Sequence, residues 1–340
     1  MTTARSTSEA LAARAVQPAP AAIADAFRLA LGCAEAFVGA TSPNPPVGCV
    51  VLDASGQILA CGAHARAGQA HAEAAALDAC RRAGTFGRIH TLVVTLEPCN
   101  HTGRTPPCVD AILESPARAV WFGVRDPNAE VLGGGAKRLA EAGLEVGALD
   151  ALPHADAADL AQAARRLIAP FRQWKRAGRP WLTVKQALDA NGGMIPPSGR
   201  NTFTSRDSLT LAHRLRRRAD AIITGSGCVL ADNPAFTVRH VPDHFGKRRI
   251  LAILDRRGRV PASYVAAAQD RGFEVLIRRD PADLVRELGA AGVMEALVEA
   301  GPTLLASILE AGLWDEHVVI RQSAIPGEPD AVDVRTRAPV

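Results

Sequence analysis

Apolar positions along the first 150 residues switch repeatedly between helical spacing and short unbroken runs. From about Ile23 to Phe37 apolar side chains recur with the period of an amphipathic helix. Val47–Leu52 and Ile58–Gly62 are compact apolar runs around the turn residues Asp53-Ala54-Ser55-Gly56, and they predict two strands. A helix from His71 towards Leu77 and Cys80 follows, then a strand at Thr91–Leu96, a helix opening at Cys108 and a strand at Ala119–Gly123. A loop through Asp126-Pro127-Asn128 leads to a helix at Ala136–Ala142 and a strand at Leu144–Val146. The spacing then predicts one long helix from Asp156 to Trp174, and Lys175–Pro180 reads as a linker. In the second half the pattern predicts strands at Trp181–Lys185, Ala221–Thr224, Arg249–Leu254, Glu274–Ile277 and Glu295–Glu299. Helices are predicted at Ser208–Arg218, Ala282–Ala290 and Thr303–Ala311. This alternation implies α/β layers in both halves. The halves do not repeat one another.

A chain of 340 residues has room for two cores. The expected division is a disordered tail over 1–20, a first domain over 21–155, a connecting helix and linker over 156–180, and a second domain over 181–340. Apolar content of 48% fits a globular protein, and no apolar run approaches the roughly 18 residues of a membrane span. The start, rich in Ala, Ser, Thr and Arg, lacks the apolar stretch of a secretory signal. Seven cysteines, an odd number over a long chain, argue against a disulfide framework and for a cytoplasmic setting. Of these, Cys33, Cys49, Cys61 and Cys80 lie in apolar stretches and are expected in the core. Net charge of +4 suits a phosphorylated small molecule. It also permits nucleic acid, yet a single tyrosine and sparse aromatics offer no stacking platform. The basic run Arg214-Leu215-Arg216-Arg217-Arg218 is expected to be a solvated helix face. No G-x-G-x-x-G occurs, and Gly133-Gly134-Gly135 reads as a turn.

His71-Ala72-Glu73, with Pro98-Cys99 and Cys108, carries the chemistry. One imidazole and two thiolates suit a catalytic zinc, which takes three protein ligands and leaves the fourth position to water. Such a metal lowers the pKa of its water from about 15.7 to about 7. Glu73 would stay off the metal and carry protons to the ring nitrogen and the departing amine, the division of labour in zinc base deaminases. For His71 and Glu73 to share a site they must lie in the first turn of their helix, since residues two apart in mid-helix diverge. Cys108 at a helix start gains from the dipole. Here eight residues, not two, separate the cysteines.

That spacer, Asn100-His101-Thr102-Gly103-Arg104-Thr105-Pro106-Pro107, together with Pro43-Asn44-Pro45-Pro46-Val47-Gly48, His71-Ala72-Glu73 and Thr95-Leu96-Glu97-Pro98-Cys99, closely resembles the bifunctional riboflavin biosynthesis deaminase–reductases. The resemblance implies a cytidine-deaminase-like three-layer α/β/α domain followed by a dihydrofolate-reductase-like α/β domain. It implies zinc and NADPH as cofactors. The first domain would deaminate 2,5-diamino-6-(5-phosphoribosylamino)pyrimidin-4(3H)-one. The second would reduce the ribose of 5-amino-6-(5-phosphoribosylamino)uracil to ribityl. By position, His71, Cys99 and Cys108 would hold zinc, Glu73 would shuttle protons, and Asn44, His64 and His101 would lie near the pyrimidine. An amide such as Asn44 can both donate to and accept from a base edge.

In the second half the matching segments are Thr224-Gly225, Val229-Leu230-Ala231-Asp232-Asn233-Pro234, Thr237-Val238-Arg239 and Glu299-Ala300-Gly301-Pro302-Thr303-Leu304-Leu305. Arg216, Phe236, Arg239 and Glu299 fall at substrate positions, the two arginines suited to a phosphate. Within the basic run, then, Arg216 is expected to function and its neighbours to be solvated. Ala187, Phe203, Thr224, Cys228, Asp232, Gly301, Pro302 and Thr303 fall at cofactor positions. Gly301-Pro302 between a strand and a helix would offer backbone N–H groups to a pyrophosphate. Three departures stand out. Lys185-Gln186-Ala187-Leu188-Asp189-Ala190-Asn191-Gly192-Gly193 replaces Lys-x-x-x-Ser-Leu-Asp-Gly-Arg, Phe203 replaces a tryptophan, and the usual final strand is not recognisable over 318–340. They leave open a deaminase with a degenerate or repurposed reductase half. A nucleic-acid-editing deaminase is disfavoured by the long spacer and the second domain. The expected partners are therefore a phosphorylated pyrimidine ribotide and further copies of the chain, without nucleic acid or membrane.

Overall fold

A computed structural model describes residues 17–102, 106–128, 134–196, 202–325 and 328–337. The expected tail (apart from 17–20), the centre of the cysteine spacer at 103–105 and the start of the triple-glycine turn lie outside the described residues. The chain divides into two compact units, one of Met1–Thr41 with Pro45–Ile168, the other of Ser42–Asn44 with Ala169–Val340.

The first unit is built on a five-stranded sheet of order β2-β1-β3-β4-β5. Its strands are β1 (Gly48–Leu52), β2 (Ile58–Ala63), β3 (Thr91–Leu96), β4 (Ala119–Val124) and β5 (Glu145–Ala148). β1 runs antiparallel to β2 and β3, while β3, β4 and β5 are parallel. All six residues of β3 are buried, because successive side chains feed opposite cores. Leu92 and Val94 pack with α2 (Ala72–Arg82), α3 (Cys108–Leu113) and α4 (Gly134–Glu141); Val93 faces α1 (Pro20–Glu35) and α5 (Ala157–Leu167). This is a three-layer α/β/α arrangement. Gly62 allows α2 to lie directly on the sheet, since a Cβ there would come 2.6 Å from Ala72 O. The first residues of α2 are thereby held against the sheet.

The helix expected over Asp156–Trp174 is two helices. α5 ends at Leu167, Ile168 leaves helical geometry, and α6 (Ala169–Ala177) begins anew with Pro170 in its first turn. A proline there lacks an N–H to donate back to the preceding turn, and its ring crowds the carbonyl of that turn. Lys175–Ala177, read as linker, complete α6.

The second unit has a seven-stranded sheet of order β12-β11-β6-β10-β7-β8-β9. The strands are β6 (Trp181–Leu188), β7 (Ala221–Gly225), β8 (Arg249–Leu254), β9 (Phe273–Arg278), β10 (Glu295–Val298), β11 (Glu316–Arg321) and β12 (Ala331–Thr336). All neighbours are parallel except β11 and β12. The helices are α7 (Arg206–Arg218), α8 (Ser226–Asp232), α9 (Ala262–Asp270), α10 (Pro281–Ala290) and α11 (Pro302–Glu310). Ser205 caps α7 by accepting from Ser208 N, and Asp280 caps α10. Four of these elements, α8, α9, β11 and β12, were not predicted.

Two packing expectations change. Arg217 and Arg218 are not a solvated face: Arg218 Nε meets the buried Glu295 carboxylate at 2.6 Å, and the Arg217 carbonyl accepts from Arg249. Arg214 alone in that run is exposed. Cys49 and Cys80 are buried as expected, but Cys33 is half-buried and Cys61 exposed, because β2 is the edge strand.

Candidate active sites

In the first unit two helix starts and one strand end converge. His71 is the residue before the first turn of α2, Glu73 lies within that turn, Cys99 follows β3, and Cys108 opens α3. His71 Nδ1 stands 3.5 Å from Cys99 Sγ and 3.3 Å from Cys108 Sγ. The Cys108 backbone N–H donates to Cys99 Sγ at 3.3 Å. All three ligand atoms lie within 4.8 Å of one another. Bonds of about 2.3 Å to sulfur and about 2.0 Å to nitrogen around one tetrahedral centre require just such a triangle, so this donor set fits zinc. The starts of α2 and α3 add positive potential that favours thiolates.

The local electrostatics divide the roles. Cys99 is held down to about 4, first by a hydrogen bond with Cys108 and then by His71; the same contact pushes Cys108 up. Cys99 is thus the preformed anionic donor. Glu73 is 3% exposed, and burial, followed by the charge at Cys99, raises its carboxyl to about 7. A carboxyl poised there can take and return a proton near neutral pH.

His64 is buried beside this cluster, its ring edge-on to His71 with centroids 5.1 Å apart and its Nδ1 3.1 Å from Ala70 O. Burial lowers its pKa, which favours the neutral ring. His101 is exposed in the cysteine spacer. Asn44 is half-buried in the loop before β1, within the short Ser42–Asn44 stretch grouped with the second unit. Sequence reasoning gave Glu97 no role. Its buried carboxylate accepts from Ala136 N at 3.0 Å and from Asp126 N, tying the residue before Pro98 to α4 and to the loop after β4. Gly135 packs on the same segment, where a Cβ would overlap the Pro98 carbonyl.

In the second unit Glu299 follows β10 and is 6% exposed. Arg216 Nε donates to its Oε2 at 2.8 Å, and Lys185 Nζ lies 3.7 Å from Oε1. Burial raises the Glu299 pKa, but the charges of Arg216 and Lys185 outweigh it and hold the carboxyl below its ordinary range. Lys185, which sequence reasoning left without a role, is brought there by register: Val184 of β6 pairs with Val298 of β10, so the next residues meet. Thr237 joins the two expected phosphate ligands. Its carbonyl accepts from Arg216 Nη1 at 3.2 Å and its hydroxyl from Arg239 Nη1 at 2.9 Å. The Arg239 backbone N–H donates to the buried His213 Nδ1 at 2.9 Å. Phe236 is buried in a core cluster with the Arg216 guanidinium over its ring, 5.7 Å from the centroid. Its left-handed backbone (φ 52°) is uncommon for a bulky residue.

Of the expected cofactor residues, Thr224 lies at the end of β7, Cys228 in the helix that follows it, and Gly301, Pro302 and Thr303 just after β10. These are strand ends where ligands bind in open parallel sheets. Ala187 lies in β6, Phe203 before α7 and Asp232 at the end of α8. Gly301 precedes α11, Pro302 opens it, and among the described residues no side chain caps it. The Gly301 N–H itself donates to Cys228 Sγ at 2.9 Å. Thr224 Oγ1 is buried and has no hydrogen-bond partner among the described residues. An uncapped helix start beside an orphaned hydroxyl fits a phosphate-bearing cofactor. Thr303 and Asp232 are exposed, while Ala187 and Phe203 are half-buried.

Comparison with known proteins matches residues 22–124 to the cytidine and deoxycytidylate deaminase zinc-binding region, and 180–337 to the RibD C-terminal domain. The latter match includes much of the stretch after 318 that the sequence alone left unrecognised, where β11 and β12 complete the sheet. A riboflavin biosynthesis protein RibD of Mycobacterium tuberculosis is 36% identical over 319 residues, covering 92% of this chain and 88% of that protein. One from Aquifex aeolicus is 35% identical, covering 89% and 87%. The solved RibD of Acinetobacter baumannii (form 1) superposes with a TM-score of 0.75 at 29% identity, covering 91% and 89% of the two chains. A Thermotoga maritima diaminohydroxyphosphoribosylaminopyrimidine deaminase/5-amino-6-(5-phosphoribosylamino)uracil reductase does so with a TM-score of 0.77 at 28% identity, covering 91% and 89%.

Proposed function

The chain belongs to the RibD family of riboflavin biosynthesis proteins, and on that premise we propose that its two activities act on one ribotide in turn. The first is deamination of 2,5-diamino-6-(5-phosphoribosylamino)pyrimidin-4(3H)-one. The second is reduction of the ribose of 5-amino-6-(5-phosphoribosylamino)uracil to ribityl. The observation that carries this reading is the triangle of His71, Cys99 and Cys108 with the buried Glu73 beside it.

His71, Cys99 and Cys108 would hold zinc, which when bound supplies a Lewis acid for water. Glu73 takes one proton from the attacking water and gives it to the ring nitrogen, then takes the remaining proton of the added hydroxyl and gives it to the leaving amine. Its burial keeps that proton from escaping to solvent. His64 as a neutral ring, with Asn44 and His101, reads the pyrimidine edge. In the second unit NADPH would supply hydride when bound. Thr224, Cys228, Asp232, Gly301, Pro302 and Thr303, with Ala187 and Phe203, would line its site. Arg216 and Arg239 take the substrate phosphate, Phe236 supports Arg216 from the core, and Glu299 with Lys185 faces the sugar. Two bonds to protein use two of the five donors on Arg216.

The domain limits we propose are 21–155 for the deaminase, 156–180 for the connection and 181–340 for the reductase. Among the described residues no helix is long and apolar enough to cross a membrane. A homo-oligomer in the cytoplasm, acting on a small phosphorylated substrate without nucleic acid, completes the proposal; sparse aromatics and many thiols support it. The test is product mass. Ribotide alone should yield the deaminated uracil, and ribotide with NADPH the ribityl compound. Unchanged ribotide in both reactions would overturn the proposal.

A further inference from the structure

The four other cysteines of the first unit, Cys33, Cys49, Cys61 and Cys80, divide between the two faces of its sheet. Gly62 lies against α2, so alternation along β2 turns Cys61 to the opposite face, towards α1. Register agrees: Gly62 pairs with Cys49, which packs in the α2-side core, and Cys61 pairs with Val50, which packs on the α1 side. α1 rides closely over that face, with the backbone of Ala30 and Ala34 against Gly48. Cys33 immediately precedes Ala34, on the helix that packs over β2, and its thiol neighbours Cys61 across that face. Cys61 is exposed on the edge strand and Cys33 half-buried, whereas Cys49 and Cys80 are enclosed.

We infer that Cys33 and Cys61 are a redox-modification site, closing to a reversible disulfide by exchange with a small-molecule disulfide such as oxidised glutathione. The exposed Cys61 attacks first. Its thiolate forms a bond to one sulfur of the small disulfide, whose own S–S bond breaks, and one small thiolate leaves. Cys33 then loses its proton to solvent and attacks the Cys61 sulfur, expelling the second small thiolate. Two protein thiols are oxidised and the small disulfide is reduced to two thiols. Burial, and then the neighbouring Cys61, push the Cys33 thiol up to about 11, which suits it to the second, resolving role. The new bond would fasten α1 to the edge strand, and the next residue after β2 is His64, against His71. A transient bond of this kind suits a reducing compartment, where cytosolic disulfides are mostly redox-sensing or catalytic.

The experiment treats the zinc-loaded full chain with excess oxidised glutathione, quenches by alkylation and maps peptides without reduction. The expected result is a Cys33–Cys61 cross-linked peptide and the loss of two alkylatable thiols, restored by dithiothreitol, with zinc retained. Cys61→Ser should leave Cys33 alkylatable, and Cys33→Ala should stop at a lasting glutathione adduct on Cys61. A wild-type protein in which that adduct persists, or in which both thiols stay alkylatable, overturns the inference.

Discussion

His213 offers a sharp test of the second unit's electrostatics. It is 3% exposed, accepts the Arg239 backbone N–H at Nδ1 and packs edge-on against His240. Burial, then the charges of Arg216, His240 and Arg239, lower its pKa to about 4. A proton on Nδ1 would break the bond that positions Arg239 and add a third cation to the site. In the unfolded chain the ring titrates near 6.5. Between the two values the unfolded state binds the extra proton, so the contribution is intact above about pH 6.5 and is lost as pH falls towards 4. At about 1.4 kcal/mol per pH unit of separation, the loss amounts to about 3 kcal/mol. The assay is urea unfolding of wild type and His213→Gln across this range, the glutamine carbonyl preserving an acceptor. The wild-type advantage should shrink by about that amount on acidification, and the His213 ring should stay neutral by NMR down to about pH 4. Titration near 6.5, or a difference that does not move with pH, would refute the reasoning.

Other outcomes follow from the same geometry. Glu73→Gln should keep zinc, by elemental analysis, and lose deamination by about 10²–10⁴-fold or more, because the carboxylate acts from beside the metal ligands. Cys108→Ala should release zinc and lower the melting temperature of the first unit, measured by metal content and calorimetry. Gly135→Ala drives a methyl into the Pro98 carbonyl; overpacking of this kind costs about 1–3 kcal/mol, and zinc affinity should weaken because Cys99 moves with it. Glu299→Gln leaves Arg216 and Lys185 facing no carboxylate, and should abolish NADPH-dependent reduction while ammonia release by the first unit continues at the wild-type rate.

Local signals carried the metal site. His71 and Glu73 were expected in one first turn and Cys108 at a helix start. Glu73 and Cys108 are placed so, and His71 stands one residue before that turn, all constraints a few residues wide. Most strands were equally legible, because β3, β7 and β8 are apolar runs between turn residues. What escaped was long-range. Arg218 looks solvated in its own helix and is half-buried because Glu295, on another element, supplies a counter-charge. Lys185 gains a role from strand order, which periodicity does not encode. α9 is rich in alanine, with little amphipathic contrast, and β12 is exposed at every position, so neither shows a periodic apolar face. The break at Ile168 could have been read from Pro170, the one local signal passed over in favour of a continuous pattern.

The zinc-type triangle can be tested most directly by X-ray absorption and metal analysis on the purified chain, with ammonia release followed on the same sample. One zinc per chain, bound by two sulfurs and one imidazole nitrogen, in protein that liberates ammonia from the ribotide, is the predicted result. A zinc shell without sulfur, or ammonia release undiminished after the metal is stripped, would contradict it.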